Sequence, residues 1–309
     1  MKRLLLSVFI LSFSIRGHAQ NYKGPIIDMH IHAFGGNVPL YGLTHPPTLR
    51  GQTFKGVTSA QEQKQQVLDR FKKYNIVKAV VTDGELWISD APDRILIAGA
   101  EKPLDSLRKQ HKAGQLQVIA EMGPFYAGIK ADDPSQLPYF ALAEELAIPV
   151  GFHVFPGGPN YGFHLMPKML GGMRTYNANP LQLEDVIVKF PNLKIYVMHG
   201  GWPYVEDMKA LMYAHPNVYV DISVINWILP KKELYNYLTS LIDAGFGNRI
   251  MYGSDQMVWP QTIDVGIETI NSATFLTLKQ KEDIFYNNAA NFLGLSKEEI
   301  AKHKGPNKR

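Results

Sequence analysis

Residues 26–33 read IIDMHIHA. The run is short, partly β-branched and apolar except at Asp28, His30 and His32, which recur with a period of two. In an extended strand that period places all three side chains on one face. Seven further runs of the same kind follow: IVKAVVTD (76–83), RILIAGA (94–100), LQVIAEM (116–122), IPVGFHVF (148–155), LKIYVMHG (193–200), VYVDIS (218–223) and RIMYGSD (249–255). Each is apolar nearly throughout, as strands of a parallel sheet covered on both faces should be.

Between the runs lie amphipathic stretches. Ser59 and Glu62 have capping-box spacing and open a helix with Val67, Leu68, Phe71 and Tyr74 on one face. Asn179 followed by Pro180 starts another, with Leu181, Val186, Ile187 and Phe190 inward and Pro191 closing it. Thr277 and Gln280 open the last helix, through DIFYNNAANFLGL. Eight strands alternating with helices is the count of an α/β fold of (β/α)₈ TIM-barrel type. No composition break or low-complexity linker interrupts residues 20–309, so they read as one domain. The Gly- and Pro-rich segment Phe34–Thr58 is longer than ordinary connections of under about 12 residues and reads as a functional loop over the barrel mouth.

Residues 1–19 are of a different kind: Lys2 and Arg3, the apolar run LLLSVFILSFSI, then Gly17-His18-Ala19. This is the layout of a secretory signal cleaved after Ala19. Its apolar stretch of about 12 positions falls short of the roughly 20 that span a bilayer. A periplasmic or secreted mature chain without a stable membrane anchor is expected. Cleavage removes Lys2, Arg3 and Arg16 and no acid, so the formal charge of +4 falls by three to +1. A nearly neutral surface argues against nucleic acid or an anionic membrane as principal partner, since these are held by clustered Lys and Arg. It leaves a small-molecule substrate as the expected partner, with homo-oligomerisation open. The Lys-rich end KHKGPNKR reads as a solvated tail. There are no cysteines, which excludes disulfides and thiolate metal sites, so any metal must be held by imidazole and carboxylate.

Catalytic groups of such a barrel sit where strands end and loops begin. Ionisable residues recur at that address: His30 and His32 on the first run, Glu121 on the fourth, His153 on the fifth, His199 on the sixth and Asp255 on the eighth. Imidazoles and carboxylates converging from separate strands are what a divalent transition metal, commonly zinc, requires. A single strand-end His is more often a hydrogen-bonded structural residue than a ligand. The joint pattern is what points to metal. Asp83 and Asp221 read as hydrogen-bonded core residues, His111 and His215 as structural, and His45 and His164 as loop residues without an assigned role.

The motifs IIDMHIHAF, VGFHVF, YVMHGGWP and MYGSDQ, with the terminal FYNNAANFLGL, resemble the amidohydrolase superfamily and within it the amidohydrolase-related, or type 2, branch, over about residues 25–295. That branch contains metal-dependent hydrolases, aminocarboxymuconate semialdehyde decarboxylase and its relatives, and pyrone dicarboxylate lactonase. The resemblance implies that His30, His32, His153 and Asp255 are metal ligands, and that His199 either completes the set or polarises the substrate beside it. Asp255 doubles as general base. Asp28 is a candidate for supporting the ligands from behind. Binuclear members often bridge two metals with a carboxylated Lys from strand 4. Strand 4 here has no Lys, so one zinc is expected, with a second held through Glu121 as the alternative.

Trp202, Trp227 and Trp259 follow runs six, seven and eight, and Tyr126 and Phe155 follow runs four and five, where they could wall an apolar pocket. Arg174, in GGMRTYN, is a candidate clamp for a substrate carboxylate, or a surface salt-bridge residue. The leading expectation is hydrolysis of an amide, ester or lactone bond in a small carboxylated or aromatic molecule by metal-activated water. Non-oxidative decarboxylation at the same site is the alternative. A catalytically inactive secreted barrel that binds a ligand is the second, and it requires a broken ligand set.

Overall fold

The eight apolar runs become eight parallel strands in the computed structural model, which describes residues 20–100, 102–159 and 171–305. They are β1 (Ile26–His32), β2 (Ile76–Thr82), β3 (Ile95–Ala98), β4 (Ile119–Met122), β5 (Val150–His153), β6 (Ile195–Met198), β7 (Val218–Asp221) and β8 (Ile250–Met251). Pairing runs β1-β2-β3 and β4-β5-β6-β7-β8. A parallel bridge between Ala98 and Val118 joins β3 to the approach to β4. On the other side the Met29 N–H donates to the Tyr252 carbonyl at 2.9 Å and the Asp255 N–H to the His30 carbonyl at 2.8 Å. Hydrogen bonding therefore passes from β8 back to β1, and the chain is a (β/α)₈ barrel. The expected signal, residues 1–19, lies outside the described residues, as does His164.

The strands end earlier than the apolar runs. The eighth run was expected over 249–255, yet only Ile250–Met251 pairs as strand, and the chain leaves the sheet just before Gly253-Ser254-Asp255. Asp28 holds this seam: fully buried, its Oδ1 accepts from the Ser254 N–H at 2.9 Å and the His30 N–H at 3.1 Å. Burial pushes its carboxyl up to about 7, against the lowering effect of those bonds.

The helices correct the sequence reading in four places. Ser59 accepts from the Glu62 N–H, but the Glu62 carboxylate turns to the N–H and hydroxyl of Thr58, so only half of the capping box forms. That helix, Ala60–Lys73, buries Gln63, Val67 and Phe71, while Leu68 and Tyr74 are partly exposed. Asn179 does cap Leu181, but the turn Pro180–Leu183 is a 3₁₀ helix before the α-helix Glu184–Lys189 begins. Three residues per turn rotates the phase, so Leu183 is buried and Leu181 is exposed. The Lys-rich end is not all tail: a capping box of Ser296 and Glu299 opens a helix over Lys297–Lys304. Asp83, expected in the core, occupies a left-handed turn at φ 54° with an exposed side chain 3.3 Å from Lys102.

Tyr196 is fully buried on β6 and its hydroxyl reaches the Met29 carbonyl on β1 at 3.3 Å, crossing the barrel interior. Its register partner on β5 is Gly151, where an added Cβ would lie 2.5 Å from the Tyr196 ring. Gly151→Ala should therefore destabilise the barrel by about 1–3 kcal/mol through overpacking, read as a lower urea midpoint at unchanged slope.

Candidate metal centre

The carboxyl ends of the strands bring together the side chains that the sequence scattered. Nε2 of His30 lies 3.0 Å from Nε2 of His32, and Nε2 of His199 lies 3.0 Å from Nδ1 of His153. Glu121 stands between the two pairs. Its Oε2 is 3.3 Å from His30 Nε2 and 3.5 Å from His32 Nε2, and its Oε1 is 3.3 Å from His199 Nε2 and lies against His153 Nδ1. Asp255 Oδ1 is 3.1 Å from His32 Nε2 and 3.7 Å from His30 Nε2. Three overlapping groups each bring their ligand atoms within 4.8 Å of one another: His30, His32 and Glu121; His30, His199 and Asp255; Glu121, His153 and His199.

The tautomers follow from the partners behind the rings. The Ser223 hydroxyl has one proton and gives it to Asp221 Oδ1 at 2.6 Å. It can then only accept from His30 Nδ1 and His199 Nδ1, each at 3.0 Å. Both rings therefore carry their proton on Nδ1 and turn an Nε2 lone pair inward. His153 is the opposite tautomer: its Nε2 meets the Phe155 carbonyl at 3.0 Å, which only accepts, so Nδ1 carries the inward lone pair. Of the two roles open to His199, this tautomer favours ligand over donor to a substrate carbonyl. Asp221 is a buried hydrogen-bonded residue, as expected, but its Oδ1 also accepts from the N–H groups of His199 and Ser223, at 2.9 Å each.

Two lone pairs facing each other at 3.0 Å, as on His153 and His199, repel unless positive charge lies between them. Asp255 Oδ1 is buried, and its near polar neighbours are the Nε2 atoms of His32 and His30. Burial alone would raise the Asp255 carboxyl, but the neighbouring imidazoles of His30 and His32 hold it at about 2. Burial would likewise lower His32, but Asp255 and Glu121 raise it to about 10. The cluster thus draws in a proton where a cation would sit, and its donors are the neutral imidazoles and carboxylates that a divalent transition metal takes. The residues fit such an ion, and Glu121 belongs to both halves of the cluster.

The backbone is strained where it presents these groups. His199 (φ 60°), Val224 (φ 60°), Asp255 (φ 47°) and Met257 (φ 43°) are all non-glycine residues in left-handed or related conformations, each costing on the order of 1–3 kcal/mol. Gly253 is needed for the opposite reason: a Cβ there would lie 3.0 Å from that of Ser223 and 3.2 Å from that of His30. His32 is clamped by Gln256, which accepts from its N–H at 3.1 Å and donates to its carbonyl at 2.6 Å, and by the buried Gln63, which also donates to that carbonyl. Ser223 carried a signal that the sequence reading passed over. Asp221-x-Ser223 has the same period of two, at the same end of a strand, as His30-x-His32.

Above the cluster opens a cavity of about 350 Å³ lined by Phe34, Leu40, His45, Tyr126, Phe155, Met173, Trp227, Ile228, Met257 and Trp259 together with the ligand residues. Of the expected substrate wall, Tyr126, Phe155, Trp227 and Trp259 are present, and the Tyr126 hydroxyl lies 3.3 Å from His153 Nδ1. Trp202 is not part of it. It lies behind Phe155 at 6.0 Å and donates to Glu233 at 3.1 Å. Arg174 is exposed, its Nη1 donates to the carbonyls of Gly171 and Met173 at 2.8 and 2.7 Å, and it is not among the described lining residues.

Ser223→Ala should weaken zinc or manganese binding by about 10–100-fold with the fold retained, because it frees the rings of His30 and His199. Competition against a chromophoric chelator measures it, and unchanged affinity would show that Ser223 does not set the rings. The same titration should give affinity rising with pH, by about ten-fold per unit between about pH 6 and 9, since the ion must displace the proton on His32.

An amidohydrolase family model matches residues 27–295 of this chain. The chain is 22% identical to the fluG protein of Emericella nidulans over 85 residues, a stretch that covers 28% of this chain and 10% of that protein. Among solved structures it resembles a probable 2-pyrone-4,6-dicarboxylic acid hydrolase of Acinetobacter baumannii, with TM-score 0.60 and 13% identity over 87% of this chain and 99% of that one. It also resembles 2,6-dihydroxybenzoate decarboxylase from Rhizobium, with TM-score 0.58 and 15% identity over 88% of this chain and 99% of that one. At such identities the structural likeness bears on the fold alone, whereas the family model spans nearly all of the described barrel: the chain belongs to the amidohydrolase family of enzymes.

Proposed function

We propose that this enzyme is a metal-dependent hydrolase that cleaves an amide, ester or lactone bond of a small aromatic substrate. The observation that carries the reading is the convergence of four imidazoles and two carboxylates on one point at the floor of an aromatic cavity. His30, His32, His153, His199, Glu121 and Asp255 would hold one divalent ion, with room in the donor set for a second through Glu121. When bound, the ion supplies Lewis acidity, which polarises a carbonyl oxygen and lowers the pKa of water towards 7. Asp255 is ionised at neutral pH and partly open to the cavity, so it can take a proton from the attacking water and pass it to the leaving group. The apolar walls exclude bulk water and strengthen every charge interaction on the floor.

Non-oxidative decarboxylation is the second reading. The mostly apolar wall favours it, because it would strip solvent from a carboxylate and release carbon dioxide easily. An inactive binding barrel gains no support, since the six candidate side chains lie together. Chelation should abolish turnover on a panel of aromatic esters, lactones and acids, and zinc or manganese should restore it. Asp255→Asn should lower kcat by about 10²–10⁴-fold with a smaller change in KM. Turnover that survives removal of the metal would end the proposal, and carbon dioxide release without water incorporation would transfer it to the second reading.

We further propose that residues 1–19 are an export signal and that the mature enzyme works in the periplasm or outside the cell. The support is the basic start, the 12-residue apolar run and the small-residue end. Expressed with its own leader, the protein should be recovered from the periplasm or medium with Gln20 as first residue by intact mass. A cytoplasmic protein retaining Met1 would refute this.

A further inference from the structure

The segment Phe34–Thr58 is a built wall of the cavity. Thr44 and Lys55 form an antiparallel bridge, and the His45 N–H donates to the Phe54 carbonyl at 2.8 Å. Arg50 ties the segment to the barrel through the carbonyls of Leu229 and Asn226 and the hydroxyl of Thr269. Val57 donates to Val258 at 2.9 Å, and the Trp259 indole donates to Leu43 at 3.0 Å. A side chain on this wall is therefore held in place before a substrate arrives.

His45 is such a side chain. It is 6% exposed and lines the cavity, wedged edge-on against Trp259 (ring centroids 4.7 Å, 89°) and Trp227 (5.2 Å, 81°). Its Nδ1 lies 2.6 Å from the Pro46 carbonyl, which can only accept, so the proton is on Nδ1. Burial lowers its pKa and keeps the ring neutral. Nε2 is then a pure acceptor, and among the described residues nothing donates to it. Both neighbouring indole N–H groups are spent on backbone carbonyls, Trp227 on Ser254 at 2.8 Å and Trp259 on Leu43. Apart from the ligand cluster and Tyr126, which bonds to it, His45 is the one ionisable side chain among the described lining residues. No Lys or Arg is among them.

We propose that His45 is a specificity residue whose Nε2 accepts a hydrogen bond from a hydroxyl or ring N–H of an aromatic substrate. The inference rests on the metal-centre reading, which places the reacting end of the substrate at the ligand cluster. A ring carrying a hydroxyl satisfies an acceptor that would otherwise stay unpaired. A second carboxylate in that place would meet a lone pair and indole rings, with no cation among the described lining residues.

The test uses the zinc-loaded mature protein and its tryptophan fluorescence, titrated with the three hydroxybenzoate isomers and their methyl ethers, the methoxybenzoates. At least one hydroxy isomer should bind about ten-fold or more tightly than its methyl ether, because losing the donor leaves a buried acceptor unpaired. In His45→Phe that ratio should fall to about one, while the methoxy ligand keeps its affinity within about two-fold. His45→Gln, which retains an acceptor, should keep part of the preference and serves as the folding control for the site. Ratios near one in the wild type, a preference that survives in His45→Phe, or no binding by any isomer would each overturn the proposal. Elemental analysis run on the same samples keeps the two readings apart. Bound metal with no hydroxyl preference removes only the role of His45, whereas absent metal with a preference lost in His45→Phe removes only the metal centre.

Discussion

Two imidazole nitrogens pointing lone pairs at each other across 3.0 Å are stable only around positive charge, and the carboxyl end of this barrel is organised to create that situation. The Ser223 hydroxyl fixes it on one side by giving its single proton to Asp221 and accepting from two histidines at once. The Phe155 carbonyl fixes it on the other by holding His153 in the opposite tautomer. Glu121 and Asp255 then supply the negative charge that makes a cation welcome. Remove the serine and the rings are free to turn. Remove the carboxylates and nothing favours a positive charge there.

The rest of the barrel serves this convergence. Parallel strands all end on one side, so side chains at or just beyond those ends face a common centre. The seam between β8 and β1 matters most, because it carries His30, His32 and Asp255 together. The buried Asp28 holds it by accepting from both the Ser254 and His30 N–H groups. Gly253 lets Ser223 and His30 approach closely there. Local strain at His199 and Asp255 is tolerated because a large apolar core, with Tyr196 crossing its interior, determines the backbone around them.

Chemistry and selectivity occupy different parts of the molecule. The ligands come from strand ends and are fixed by hydrogen bonds behind them. The walls come from loops, chiefly the segment after β1 and the turns after β7 and β8, and among the described residues they are apolar apart from His45 and Tyr126. Such a division lets one barrel keep its metal chemistry while its loops change what is admitted.

Much of this was legible in the order of residues alone. Apolar runs of strand length, eight of them, dictated the barrel, because only a sheet covered on both faces buries such runs. The period of two in His30-x-His32 fixed their common face, and strand-end position alone brought Glu121, His153, His199 and Asp255 into one set. Local pattern could not reveal contacts set by side chains from distant strands. Ser223 gains its meaning only beside His30 and His199, and His45 only between Trp227 and Trp259. Trp202 and Arg174 followed strands as the wall residues do, yet are not among the described lining residues, since the path of a long loop depends on tertiary packing. Strand identity follows from burial, a local property of composition. Tautomer, charge and cavity shape follow from three-dimensional proximity, which no single stretch of chain contains.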